Sequence, residues 1–347
     1  MKTLIALALV PLVLLAACER AEKAQPEQLA GDPQVLPENF IRAETDLAFH
    51  RLQTRGGGPN AFSFLRAPTP LDAQSIVRMN RDTLYGAAIV DTANGASIEI
   101  PNIDDSRYIS VQIIDNDHYT PAVFYEPGVH QIPTATRYVA AIVRVEILDA
   151  NSPSDIAQAN AIQDQFVVRA ASAVPMPAPT WDMRSFLKLR NQYKQEFHQY
   201  AQFGVNWMGP RGEVDEETRH IVAAAGWGLL PSRDAMYINY NGGEDHQQCY
   251  VAAYRVPDHQ AFWSITVYGD DGYMKNNSNV VNSRSVTLGE DGGFDVYFGS
   301  QSACGQQVNR VDVTEGWNYV MRIYRPGPGV LDQSYRLPEP ELFMLKN

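Results

Sequence analysis

Asn80-Arg81-Asp82, with Tyr85 close behind, places an amide, a guanidinium, a carboxyl and a phenol within six residues. At a turn before a strand, Arg81 can clamp a carboxylate or a sugar hydroxyl, and Asp82 can act as base or acceptor. The same residues also suit an Asx turn locked by an internal Arg–Asp pair. Asp115-Asn116-Asp117-His118, with His130 further on, offers hard oxygens and imidazole to a cation. Its spacing matches no familiar zinc signature and HExxH is absent, so it is read as a polar loop and no metal is assigned. The sequence has no G-x-S-x-G elbow, no G-x-G-x-x-G and no P-loop, so neither an acyl-enzyme serine nor a nucleotide cofactor is expected.

Further candidates lie on strands, where successive side chains take opposite faces. In 262–268, Trp263, Ile265 and Val267 make an apolar face, while Phe262, Ser264, Thr266 and Tyr268 make a mixed one. In 107–115, Arg107, Ile109, Val111 and Ile113 alternate with Tyr108, Ser110 and Gln112. In the last strand, Tyr319, Met321 and Ile323 oppose Arg322 and Tyr324. Each strand pairs a core face with one carrying rings and hydrogen-bonding groups, which suits a pocket for a polar ligand or a solvated outer face. Asn80, Arg81, Arg107, Tyr108, Gln112, Ser264, Tyr268, Arg322 and Tyr324 are therefore the candidate ligand-binding residues, and Asp82, Tyr85 and Asp115 the candidate catalytic ones.

The elements that must position these residues follow from hydrophobic period. A helix is expected over 38–53, ended by Gly56-Gly57-Gly58-Pro59. Strands are expected at 84–91, 97–101, 107–115, 122–126 and 138–148. Ser152-Pro153 with Asp155 predicts a capped helix to about Ala171; further helices are predicted at 182–203 and 215–227. Strands return at 235–240, 249–255, 262–268, 285–288, 294–298 and 319–324, at the spacing of a sandwich or jelly roll. The expected fold is α+β and mainly β, with two sandwich-like or jelly-roll-like domains (37–150 and 231–347) joined by a helical segment (151–230).

Ahead of these lie Lys2, an apolar run from Leu4 to Leu15, and the small residues Ala16 and Ala17. This is the plan of a secretory signal peptide, too short to span a bilayer comfortably. Leu14-Leu15-Ala16-Ala17-Cys18 resembles the lipobox of bacterial lipoproteins, which implies cleavage of residues 1–17 and a lipid on Cys18. Several acyl chains on one residue anchor firmly, since each buried methylene contributes about 0.8 kcal/mol. Residues 18–36, charged and Pro/Gln-rich, read as a tether. Cleavage removes Lys2 and takes the net charge from −12 to −13. An acidic body disfavours nucleic acid and electrostatic adhesion to anionic lipid. In an oxidising envelope the two remaining cysteines, Cys249 and Cys304, are expected to pair. The expected location is the bacterial cell envelope, facing the periplasm or the surface; Glu19 leans it toward the outer membrane by analogy with lipoprotein sorting.

Two strings carry a family likeness. Asn80-Arg81-Asp82-Thr83-Leu84-Tyr85, then Asp91, Pro101, Arg107-Tyr108, Gln112 and Asp115, resembles domain-of-unknown-function family 1254. Ala261-Phe262-Trp263-Ser264-Ile265-Thr266-Val267-Tyr268, then Asn276 or Asn277, Asp291-Gly292 and Arg322-Ile323-Tyr324-Arg325-Pro326, resembles family 1214. The resemblance implies two β-sandwich-like domains joined by helices and brings no established reaction. The chain departs from it at Asn309-Arg310-Val311-Asp312, where family members usually carry Asn-Trp-Leu-Pro. The functional expectation is a lipoprotein binding a polar small molecule, such as a sugar or organic acid, between two β domains. The alternatives are a hydrolase- or lyase-type envelope enzyme and a protein-interaction module without a small ligand.

Overall fold

The structure is a computed structural model that describes residues 31–74, 77–103, 106–133, 135–242 and 244–345; Cys18 and the rest of the lipobox lie outside them. After a 3-10 turn at Pro37–Asn39, α1 (Phe40–Gly56) ends on Gly57, whose φ of 79° suits glycine. The first half then builds β1 (Ser63–Phe64), β2 (Thr83–Asp91), β3 (Ala96–Ile100), β4 (Ile109–Asp115), β5 (Ala122–Phe124), β6 (Gly128–Gln131) and β7 (Tyr138–Glu146). The middle holds α2 (Pro153–Gln163), β8 (Val167–Ala170), α3 (Met183–Phe197) and α4 (Arg219–Ala225). The Ser152 hydroxyl accepts from the Asp155 amide, capping α2 as its sequence predicts. The helix ends at Gln163, however, and Val167–Ala170 pairs with β3 instead of continuing it.

The second half contains β9 (Ala235–Tyr240), β10 (Tyr250–Arg255), β11 (Trp263–Tyr268), β12 (Val280–Asn282), β13 (Gly293–Phe298), α5 (Gln301–Cys304), β14 (Arg310–Val311), β15 (Asn318–Tyr324), α6 (Pro328–Leu331) and β16 (Glu341–Leu342). A strand was expected at 285–288; the pairing segment is instead Val280–Asn282, antiparallel to β11.

The described residues form four sheets, in strand orders β1-β2-β7-β4-β5, β6-β3-β8, β12-β11-β15-β9 and β14-β13-β10-β16. The fold is mainly β with antiparallel sheets, as the sequence pattern implies. In the first half, Leu84, Ala88, Val111, Val143 and Val145 pack against Ile98, Ile162 and Phe166 from the small sheet and α2. In the second half, Trp263, Ile265, Val267, Met321 and Ile323 pack against Tyr254, Phe294, Val296 and Phe298 of the facing sheet. Cys249 and Cys304 form a disulfide at the end of this sandwich. A Cβ on Gly299 would lie 2.7 Å from the Cys304 sulfur, so the bridge seats only against a glycine. Both cores use one face of each large sheet, which leaves a second face on each to be covered.

Candidate functional site

The second faces meet each other. On the first half, the end of the face near Asp91 is covered by α1, through Phe49 against Ile89, Ile114 and Ile142. Toward the other end, strand register lines up Tyr85, Arg144 and Ser110 as one row across β2, β7 and β4. On the second half, register lines up Asn282, Ser264, Arg322 and Tyr237 across β12, β11, β15 and β9. An arginine thus stands inside each row. Ser110 and Ser264 are fully buried, and both arginines have at most 4% of their surface exposed. The solvated outer face that alternation also allowed is not what these strands present.

Contacts across the layer are polar at its edge and aromatic beside it. Asn80 Nδ2 donates to Tyr324 Oη (2.6 Å), Arg81 Nη1 to Asn277 Oδ1 (2.7 Å), and Asn282 Nδ2 to Asp82 Oδ1 (3.1 Å). Asn80 Oδ1 also accepts the Asp82 and Thr83 amides, so the Asx turn is present and all three of its first side chains reach the other half. Tyr268 Oη donates to the Met79 carbonyl (2.8 Å), and Arg322 donates to the Arg78 carbonyl (2.7 Å) and Tyr268 Oη (2.8 Å). Arg284 pairs with the buried Glu146 (2.8 Å). The Tyr108 ring stands 5.4 Å from Tyr324 and 5.5 Å from Phe262, and Phe262 stacks on Tyr324 at 4.2 Å.

Not every candidate joins this layer. Arg107 faces the other way and binds Asp155 of α2 (2.8 Å) and the Glu146 carbonyl (2.9 Å). Asp115 lies at the far end of β4, about 16 Å along the strand from Ser110. Its Oδ1 accepts the Asp117 and Tyr119 amides, which fixes a loop. That geometry gives Asp115 a structural part and removes it from the catalytic candidates. Asp117 is held by Arg42 and Arg211, while His118 is buried against Trp227 with ring centroids 5.6 Å apart. Among the described residues no group of three His, Cys, Asp or Glu is placed to hold a metal. Asn309 to Asp312 lies at the outer edge of the second sandwich, where the Asp312 backbone holds the loop at Asn276 and Ser278 that carries Asn277.

Arg144, Tyr237, Ser110 and Asn282 complete the layer without having been singled out in the sequence as site residues. The signal for Arg144 was present: it interrupts the apolar run Tyr138–Val143 at a position facing Ser110 and Tyr85. Its Nη2 donates to Gln112 Oε1 (2.9 Å) and the Gly228 carbonyl (3.1 Å), and its guanidinium stands 5.4 Å from the Tyr85 ring. Arg144 Nη1 is buried with no hydrogen-bond partner, while Ser264 lies against the Asp82 carboxyl and Ser110 against the Tyr108 phenol, neither at normal hydrogen-bond geometry. Burial holds the Tyr108, Tyr237, Tyr268 and Tyr324 phenols above their ordinary range, so each remains an O–H group. Burial also raises Asp82, against the opposing pull of Ser264, Asn282 and Arg322. The segment after α4 roofs the layer: Leu229 accepts from Gln112 and the Leu230 amide points at Tyr237 Oη.

Residues 59–124 match the family model described as Protein of unknown function (DUF1254), and residues 232–328 match Protein of unknown function (DUF1214). The chain joins a DUF1254 segment to a DUF1214 segment. The two matched segments contribute β2, β4, β9, β11 and β15, the strands that carry most of the layer. Arg144 lies between the two matched segments. The fold is similar to the crystal structure of the VPA0106 protein from Vibrio parahaemolyticus, at 17% identity and a TM-score of 0.67. That alignment covers 88% of this chain and 97% of the other. An uncharacterised protein from Burkholderia cenocepacia aligns at 14% identity with a TM-score of 0.52, over 89% of this chain and 88% of its own. No curated protein matches the chain.

Proposed function

We propose that this chain is a lipid-anchored protein of the bacterial cell envelope that binds a polar small molecule between its two β halves. The observation that carries the binding reading is the buried row containing Arg144, whose Nη1 has no hydrogen-bond partner, set against a second row containing Ser264 and Arg322. A buried polar group without a partner costs about 1–3 kcal/mol, and a ligand that completes its bonding recovers that cost. The test is a melting series on the full chain in detergent, with neutral sugars and small organic acids. A ligand at 100 times its Kd stabilises by about 2.7 kcal/mol. A shift with one of these ligands is the expected result; a flat response across the series would end the binding reading.

The enzyme alternative keeps one specific support. Asp82 is buried beside Ser264 and Asn282, and its raised pKa suits a proton donor. With Asp115 in a structural loop, that alternative rests on Arg81, Asp82 and Tyr85. The address rests on Leu14 to Cys18. Cys18→Ser is expected to leave the chain unprocessed or to release it from the membrane fraction. Normal processing together with membrane retention in that variant would remove the lipid anchor from the reading.

A further inference from the structure

The balance of charge inside the layer narrows the ligand, and the argument rests on the binding reading above. Glu146 is taken by Arg284 and by the Tyr108 amide (2.8 Å). Asp234, further along the edge, lies beside Arg233 and accepts from Tyr125 Oη (2.7 Å). Asp82 faces the Arg322 and Arg81 guanidinium groups, and Asp234 also feels the charge of Arg144. Among the described residues, neither Arg144 nor Arg322 has a carboxylate within ion-pair distance. Their hydrogen bonds go to neutral acceptors: Gln112, Gly228, Thr266, Tyr268 and the Arg78 carbonyl. With Glu146 matched by Arg284, the three guanidinium groups of Arg81, Arg144 and Arg322 still outnumber Asp82 and Asp234 when both are ionised. Desolvating an unmatched charge costs several kcal/mol, and an anion brought between the rows offsets that cost where a neutral sugar cannot.

The donors also have a shape. Arg144 is held through Nη2, which leaves Nη1 free to bind, and a planar fork of this kind matches the plane of a carboxylate. Around it stand hydroxyl donors whose protons are retained, and aromatic rings that flank a flat group. We propose that Arg144 and Arg322 hold the carboxylate of a small organic acid between the two halves. The neighbouring hollow bordered by Trp207, Leu229, Met236 and Tyr237 has room for about one water, at ≈ 20 Å³, too little for even a small acid, so the layer must open to admit one. Entry requires movement of the roof formed by Gly226 to Pro231. Gly228, at φ 81°, is a position where the backbone can turn there.

The probes are acetate, succinate, inorganic phosphate and glucose, titrated calorimetrically into the full chain in detergent at matched ionic strength. Acetate or succinate is expected to bind the unsubstituted chain. Arg144→Met is expected to weaken that binding about 100-fold, because it removes a buried charged donor. Arg144→Lys keeps the charge but not the fork and is expected to lose about 10-fold. Binding of glucose alone would overturn the carboxylate assignment while leaving the pocket. Binding of phosphate alone would overturn it in favour of a tetrahedral anion. Carboxylate binding that Arg144→Lys and Arg144→Met both leave unchanged would remove Arg144 from the site. No heat with any probe would sink the pocket and the assignment together.

Discussion

Asp91→Ala is expected to cost the first half about 1–3 kcal/mol, the range for leaving buried hydrogen-bond donors without their acceptor, since the Arg137 partner is itself half exposed. Asp91 ends β2 and is fully buried. Its two oxygens accept from Ser172 Oγ (2.5 Å), the Val174 amide (2.9 Å), Arg137 Nε (3.2 Å) and the Ala93 amide (3.3 Å). Alanine would strand those donors at the point where β2, the start of β7 and the segment after β8 converge. Burial alone would raise this carboxyl, but Arg137, Ser172, Val174 and Ala93 outweigh it and hold it down at about 2. The unfolded value is about 3.9, so the folded state favours the charged form. The contribution is therefore complete above pH ~4 and is lost as the pH falls toward 2. Chemical denaturation at pH 7 and at low pH reads both parts. Equal stability of the variant and the unsubstituted chain at pH 7 would show that the donors find other partners.

Replacing both cysteines, as Cys249→Ala with Cys304→Ala, is expected to remove about 4 kcal/mol. The separation of 55 residues sets that figure, through the loop entropy the bridge withholds from the unfolded chain. The loss should fall on the second sandwich, because the bridge joins the residue before β10 to the end of α5 and reaches no strand of the first half. Thermal unfolding with and without a reductant is the measurement. The reductant should lower the melting of the natural chain and leave the double variant unmoved. A natural chain that melts alike in both would mean that the bridge adds nothing to stability.

The sheet faces were legible where strict alternation ran long enough. Trp263, Ile265 and Val267 enter the sandwich core, and Ser264, Thr266 and Tyr268 face the other half, as their spacing required. The Asn80 turn was legible because its amide chemistry is local. Two things were not. Val167–Ala170 read as the end of a helix, since the ladder that holds it belongs to β3, some 70 residues earlier, and periodicity sees only neighbours. Asp115 looked available for chemistry because the amides that occupy it follow in a loop whose turn no pattern announced. Arg144 was hidden by its surroundings. In a run as apolar as Tyr138 to Val145 every position suits a core, while the lone cation marks a second buried face that is polar.

That second face sets where the chain can be cut. Each half turns a wall of rings and charged side chains toward its neighbour: Tyr85, Tyr108 and Arg144 from one side, and Phe262, Arg322 and Tyr324 from the other. Separated, either fragment would present that wall to water, with the aromatic part sticky and the arginine freed from its cage. A boundary drawn between the two matched segments therefore runs through the middle of one buried layer. The smallest piece of this chain that can be moved, fused or evolved as a unit is the pair.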